Sequence, residues 1–140
     1  FPNHPITRGG KPFKVVDEWY VNMRFRKDGV GKITPLLVAI PSDKVRNGPY
    51  VWPKGPYKHV QADKGRPETM MWAYERKDGG RGFGFTGGHK HFNWGNENYR
   101  NSVPNALPWI AKAKVPKNGI KSSVSVEELK QNLDPKGKRK

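Results

Sequence analysis

The alternation of apolar and polar residues predicts a β-hairpin in the middle of the chain. In "TMMWAYER" the side chains of Met70, Trp72 and Tyr74 fall on one face, and in "RGFGFTG" two phenylalanines share a face opposite glycines. The intervening "KDGG" contains Asp-Gly, which readily adopts the positive φ angles of tight β-turns. We therefore predict a β-hairpin over residues 69–87.

Two apolar segments nearer the start of the chain also favour extended structure. The segment "FKVVDEWYVNMRF" (residues 13–25) is rich in β-branched and aromatic residues. The segment "ITPLLVAIP" (residues 33–41) contains a continuous apolar run from Leu36 to Ile40, which is typical of a strand covered on both faces. Because such strands occur in sheets with helices packed against them, this run predicts an α/β fold.

After the hairpin, the spacing of apolar residues changes to that of an amphipathic helix. The apolar residues of "NENYRNSVPNALPWIAKA" that follow this spacing are Tyr99, Val103, Ala106, Leu107 and Ile110. We expect this helix to pack on the sheet. Pro104 and Pro108 interrupt it, and an interior proline removes a backbone hydrogen bond. The sequence therefore predicts a kinked or shortened helix.

Length and composition predict one domain with a short C-terminal extension. A chain of 140 residues has room for one modest hydrophobic core, which we place in residues 1–120. Within residues 121–140, Ser125 and Glu128 have the spacing of a capping box and predict a short helix. The basic residues that follow predict a mobile tail.

The beginning of the sequence predicts that part of the domain precedes it. The chain starts with Phe1 and contains 34% hydrophobic residues, 16 glycines and 13 prolines, which is poor in core formers. We therefore expect the leading strands of the sheet to lie upstream. Without them, an apolar face and edge around residues 36–40 would be exposed, and we expect self-association.

Charge is the strongest compositional signal, with a net charge of +15 and a pI near 10.2. From Ala111 onward nine Lys or Arg face three Asp or Glu, and the other cations are scattered through predicted loops. There is no basic helix, zinc-finger pattern or RNA-binding aromatic motif, so a solvated basic surface is favoured over a nucleic-acid or other polyanion partner.

The absence of cysteine excludes disulfides and a cysteine nucleophile within these residues. No run approaches the roughly 20 apolar residues of a membrane helix.

The stretch "GFTGGHKHFNWGN" (residues 84–96) contains the main candidate site. The overlapping segment "GFGFTG" (residues 82–87) resembles a dinucleotide-binding motif. However, its glycines alternate with phenylalanines inside a strand, and no helix begins directly after them. We predict instead that Gly87 and Gly88 bend the chain so that His89 projects into a pocket. Asn93 and Trp94 then close one side of it.

A second histidine leaves two interpretations of this stretch open. His89 and His91 form an H-x-H pair, which in a strand would direct both imidazoles to one side and could supply two ligands to a metal. A third ligand would have to come from elsewhere, for example from His4 or His59. The alternative is that His91 is an ordinary polar loop residue.

The tripeptide "DEW" supplies the carboxylates with which His89 could pair. Asp17 and Glu18 precede Trp19, and burial beside an aromatic ring would raise the pKa of a carboxylate toward the range useful in general acid catalysis. The alternative is that both carboxylates solvate a strand edge. Among the loop aromatics, Trp94 and Trp52 could stack against the flat face of a sugar.

Several motifs together resemble the ThuA-like family, which is named for trehalose utilisation. They are "HPITRG" (4–9), "DEWY" (17–20), "MMWAYERKDGGRGFGFTGGHKHFNW" (70–94) and "NALPWIA" (105–111). The resemblance runs from about His4 to Pro135 and covers the C-terminal part of the family's domain. It implies the flavodoxin-like sandwich of class I glutamine amidotransferases, with a C-terminal hairpin and a packing helix.

The resemblance also implies a function in sugar metabolism. His89 matches by position a histidine that pairs with a cysteine in amidotransferase relatives, but a glutaminase mechanism does not carry over, because ThuA-like proteins generally lack that cysteine. We assign His89 and Glu18 as catalytic candidates. The residues expected to bind substrate are Asp17, Tyr20, Gly87, Gly88, Asn93 and Trp94. The reaction, any cofactor and the compartment are left open.

Overall fold

The computed structural model describes residues 2–48, 54–131 and 133, which form two compact units. We call Trp19–Thr86 the sheet unit, and Phe1–Glu18 together with Gly87–Lys140 the helical unit. None of the described helices is long and apolar enough to cross a membrane.

The sheet unit contains a three-stranded antiparallel sheet and two short helices. The strands are β1 (Lys32–Ala39), β2 (Glu68–Glu75) and β3 (Arg81–Phe85), in the order β1-β2-β3, and the helices are α1 (Asp43–Arg46) and α2 (Lys58–Ala62). β2 and β3 form the predicted hairpin, with Met71 opposite Phe85 and Glu75 opposite Arg81. The Arg76 N–H donates to the Gly80 carbonyl at 2.8 Å and closes the turn. The predicted hairpin is therefore confirmed.

The structure has the mixed helices and strands that the sequence predicted, but β1 is not covered on both faces. Among the described residues β1 pairs only with β2, in antiparallel orientation, and its register shifts after Pro35 and again after Leu37. Leu36 is buried, whereas Val38 is 48% and Ile40 is 63% exposed. The prediction of a doubly covered strand is wrong, because most positions of β1 are exposed or only partly buried. The apolar exposure expected near Ile40 is present.

Residues 13–25 do not form a strand, although partly buried and exposed residues alternate along them as they do in a strand. From Phe13 to Phe25 every odd-numbered residue is at least partly buried and every even-numbered one is exposed. The sequence predicted extended structure for this segment from its β-branched and aromatic residues, but none of the three strands includes it. At Asn22 the backbone takes a positive φ of 61°.

A buried ion pair joins α1 to β2 in the sheet unit. The two terminal nitrogens of Arg46 donate to Glu68 Oε1 at 3.2 and 3.1 Å, and Arg66 donates two further bonds to the same oxygen at 3.3 and 2.9 Å. The Arg46 and Glu68 side chains are only 1% and 6% exposed. The Asn22 N–H binds the other carboxylate oxygen at 3.2 Å. Burial raises the pKa of Glu68, but these hydrogen bonds outweigh it and hold the pKa below its usual range.

The helical unit is built from short helices. It contains α3 (Glu97–Arg100), α4 (Ser102–Ile110), α5 (Val126–Leu129) and two 3-10 helices, Pro5–Thr7 and His91–Gly95. The predicted helix is shortened, because α3 and α4 are separated at Asn101, three residues before Pro104. Pro108 does not interrupt it and lies inside α4. The predicted capping box of α5 is also present, with Ser125 and Glu128 binding each other's backbone. The tail predicted to be mobile lies beyond the described residues.

The buried face of α4 differs from the one that apolar spacing predicted. Leu107 was expected to be buried and is 64% exposed. The buried residues of this helix are Ser102, Asn105, Ala106 and Trp109. The helix packs on the 3-10 helix Pro5–Thr7, and His4 contacts the ring of Trp109 edge-on at 5.0 Å. The face is set by hydrogen bonding as much as by apolar contact, which hydrophobic periodicity does not detect.

Asn105 and two glycines explain this polar face. The Asn105 amide donates to the carbonyls of Ile6 and Arg8 at 3.0 and 2.9 Å and accepts from the Ile120 N–H at 2.7 Å. The loops it joins touch through Gly9 and Gly119, both with positive φ. A Cβ at Gly119 would lie 2.2 Å from the Arg8 carbonyl oxygen, so only glycine allows this approach.

Candidate functional site

The site is organised by a sharp turn directly after β3. Gly88 has a φ of 100°, a conformation that a side chain disfavours. A Cβ there would also approach the indole of Trp94 to 3.0 Å. Glycine at this position therefore lets the chain turn while Trp94 packs closely beside it. Gly87, the other predicted turn residue, is half-buried.

Asp17 holds this turn through both oxygens of its carboxylate. Oδ2 accepts the Gly88 N–H at 2.9 Å, and Oδ1 accepts the Lys90 N–H at 2.9 Å. Oδ1 also accepts the N–H of Glu18, the next residue, at 2.9 Å. The phenol of Tyr99 completes the set by donating to Oδ2. One carboxylate thus joins residues 17–18, the turn after β3, and α3.

These contacts shift two pKa values in opposite directions. Burial raises the pKa of Asp17, but the hydrogen bonds from Tyr99, Gly88, Lys90 and Glu18 outweigh it and hold the pKa far below its usual 3.8. Burial, and then the hydrogen bond to Asp17, raise the pKa of Tyr99 well above its usual value. The expectation that a carboxylate beside Trp19 would have a raised pKa is wrong for Asp17. Asp17 stays ionised, so it is a fixed acceptor and not a general acid.

His89 and Glu18 meet at the surface of the helical unit. The imidazole Nε2 lies 3.3 Å from Glu18 Oε2, between residues 71 positions apart in the chain. The two side chains are 57% and 54% exposed, so the pair lies at an open surface and not inside the predicted concave pocket. An imidazole held against a carboxylate is oriented for proton transfer, and both groups are accessible to a ligand.

The other predicted binding residues mostly support the turn. Asn93 is buried, and its amide donates to the Val16 carbonyl at 3.0 Å. Trp94 packs edge-on against Tyr99 with ring centroids 5.3 Å apart. Tyr20 is 52% exposed and belongs to the sheet unit. Trp52, the other aromatic expected to stack on a sugar, lies outside the described residues.

His91 does not join His89 in a recognisable metal centre. It begins the 3-10 helix His91–Gly95 and is exposed. In the part of the chain that the structure describes, no group of three or more His, Cys, Asp or Glu side chains is placed to hold a metal ion.

Sequence reasoning missed Tyr99 as part of this arrangement. We interpreted Tyr99 as an apolar residue of the amphipathic helix, and it is fully buried as that interpretation requires. A buried tyrosine hydroxyl usually finds a hydrogen-bond partner, and that was the available signal. Nothing in the local sequence identifies the partner, which is 82 residues away.

No protein-family model, curated protein or solved structure matches the chain. The function is therefore argued from the motifs of the sequence and the geometry of the site.

Proposed function

We propose that the chain is part of a ThuA-like domain of carbohydrate metabolism, and that it binds or transforms a sugar at the His89–Glu18 pair. The ligand class is trehalose or a related glycoside, including oxidised or phosphorylated disaccharides. The finer fold that accompanies this proposal is the flavodoxin-like sandwich of class I glutamine amidotransferases. The described antiparallel sheet would then be only one part of that domain.

The observation that supports a functional pair is that the backbone beside His89 and Glu18 is firmly held, although the pair itself adds little stability. An exposed ion pair contributes only about 0–1 kcal/mol to folding. Yet the backbone beside both His89 and Glu18 is held by the carboxylate of Asp17. Fixing the geometry of an exposed pair so firmly suits the recognition of a ligand better than it suits stability.

The chemistry of the pair fits sugar hydroxyl groups. Glu18 can orient the imidazole of His89, which then accepts or donates a proton at a hydroxyl. A carboxylate also accepts hydrogen bonds from two hydroxyls at once. A glutaminase reaction is not proposed, because it requires a cysteine nucleophile and the chain contains none.

The proposal is tested by titrating the isotope-labelled protein with trehalose, a trehalose phosphate and an oxidised disaccharide, following backbone amides by NMR. We expect shifts centred on residues 17–18 and 88–90, and their loss in His89→Ala. The matched control is His91→Ala, which removes an exposed imidazole two positions away. Shifts that are absent from the wild-type protein with all three sugars, or equal in His89→Ala, would contradict the proposal.

A parallel titration with heparin and duplex DNA tests the polyanion alternative raised by the charge of +15. Polyanion affinity falls steeply with salt because counterions are released, whereas the affinity of a neutral sugar changes little. Tight polyanion binding that persists at moderate salt, together with no response to sugars, would replace the sugar proposal with the alternative.

A further inference from the structure

The carboxylate of Asp17 touches the backbone on both sides of the His89–Glu18 contact. It binds the N–H of Glu18, and it binds the N–H groups of Gly88 and Lys90, which flank His89. The backbone of each partner is therefore tied to the same two oxygen atoms. A rotation of either segment that separated the pair would break at least one of these bonds.

The same contacts leave Asp17 poorly suited to bind a substrate. Its two oxygens together accept four hydrogen bonds, three from backbone N–H groups and one from Tyr99. Two carboxylate oxygens offer about four acceptor positions, so the acceptor capacity is filled from within the chain. The residues that supply these bonds are the neighbouring Glu18, Gly88 and Lys90 of the turn, and Tyr99 of α3.

We infer that Asp17 is the positioning residue of the candidate site, holding His89 against Glu18, and not one of the groups that contact the sugar. The inference rests on the proposed function only where it treats the pair as a sugar site. The positioning itself is a property of the free protein.

Two features of the arrangement favour positioning over a purely structural clamp. Asp17 and Glu18 are adjacent, so the local bond from the Glu18 N–H fixes the residue that carries the partner carboxylate. Gly88 and Lys90 are bound while the residue between them, His89, is left with its side chain more than half exposed. A clamp serving only the fold would have no need to leave that side chain accessible.

The test compares Asp17→Asn with Tyr99→Phe in the full chain without ligand. The asparagine amide can keep one acceptor oxygen, but its NH2 group then faces donors that the second oxygen had bound. The readouts are the nuclear Overhauser effects between the His89 ring and the Glu18 side chain, and the imidazole tautomer from nitrogen chemical shifts. Amide spectra of α4 report whether the helical unit remains folded.

In the wild-type protein we expect nuclear Overhauser effects between the His89 ring and the Glu18 side chain. We also expect the tautomer that carries its proton on Nε2, where the ring faces Glu18. In Asp17→Asn both signatures should be lost while the α4 amides stay in place. Persistence of both signatures in a folded Asp17→Asn protein would overturn the inference.

If Asp17→Asn does not fold, Tyr99→Phe decides the matter. It removes one of the four bonds to the carboxylate and retains the aromatic ring that packs on Trp94. Weakened effects between His89 and Glu18 support positioning, and unchanged effects overturn it. Loss of the signatures in the Asp17 variant, combined with no sugar binding by the wild-type protein, would refute the proposed function and leave the positioning role intact.

Discussion

The sheet unit and the helical unit each depend on a different kind of internal hydrogen bond. In the sheet unit, most long-range bonds belong to the ladders between β1, β2 and β3. In the helical unit, side chains bind the backbone of segments about 70 to 100 residues away, as Asp17 binds Gly88 and Asn105 binds Ile6. A ladder joins backbone groups that every residue except proline carries. Side chains such as Asp17 and Asn105 place individual residues, and the candidate site is built around one of them.

The largest effect should come from the buried ion pair of Arg46 and Glu68 in the sheet unit. Glu68→Gln leaves the guanidinium of Arg46 buried without its counter-charge, which costs about 3–5 kcal/mol of unfolding free energy. The matched control is Asp78→Asn, which breaks an exposed pair with Arg76 and should change the unfolding free energy little. Denaturant unfolding measures the unfolding free energy of both variants. Equal losses in the two would show that the buried ion pair of Arg46 and Glu68 contributes little to stability.

The next effect tests the close backbone contact in the helical unit. Gly119→Ala places a Cβ against the Arg8 carbonyl at a positive φ, and the combined overlap and strain should cost about 3 kcal/mol. Gly65→Ala in the sheet unit is the control, because Gly65 also has a positive φ but no atom within 4 Å of the added carbon. It should cost about 1 kcal/mol. Thermal melts that rank the two variants equally would contradict a tight contact at Gly119.

Acid should reveal the contribution of Asp17. The pKa of Asp17 is lower in the folded protein than the usual 3.8 expected on unfolding, so its stabilisation is fully present above about pH 5 and is lost as the pH falls below 4. We expect Asp17→Asn to be about 2 kcal/mol less stable than the wild type at pH 7, because it loses hydrogen bonds to a charged acceptor. The difference should shrink toward pH 2. A constant difference across this range would contradict an ionised clamp.

The smallest effect concerns the exposed residue of α4. Leu107→Ala should change the unfolding free energy by less than about 0.5 kcal/mol, since the side chain is 64% exposed. Trp109→Ala, two positions later and buried, should cost about 3–5 kcal/mol. A large cost at Leu107 would restore the face that apolar spacing predicted.

The sequence predicted best the features that depend on neighbouring residues. The Asp-Gly turn of the hairpin and the capping box of Ser125 both follow from local chemistry. The sequence also indicated that His89 could pair with a carboxylate of residues 17–18, and Glu18 is that partner. The two groups are 3.3 Å apart, although they lie at an open surface.

The features that the sequence did not predict depend on distant partners. The role of Asp17 requires the turn at Gly88 and the hydroxyl of Tyr99, which no local pattern connects to it. The buried face of α4 is directed by Asn105, whose partners are up to 99 residues away. β1 has an apolar sequence like that of a central strand, and only the sheet order shows that it lies at an edge. Hydrophobic periodicity carries no information about such contacts.

The most direct test of the account is to measure sugar affinity and melting temperature together in His89→Ala, with His91→Ala as the control. The account predicts that His89→Ala lowers the affinity at least about tenfold, equivalent to about 1.4 kcal/mol, while the melting temperature falls by no more than a few degrees. His91→Ala should change neither quantity. A His89→Ala protein that melts much earlier than the wild type yet binds the sugar as tightly would show that His89 serves the fold, and the functional interpretation would fail.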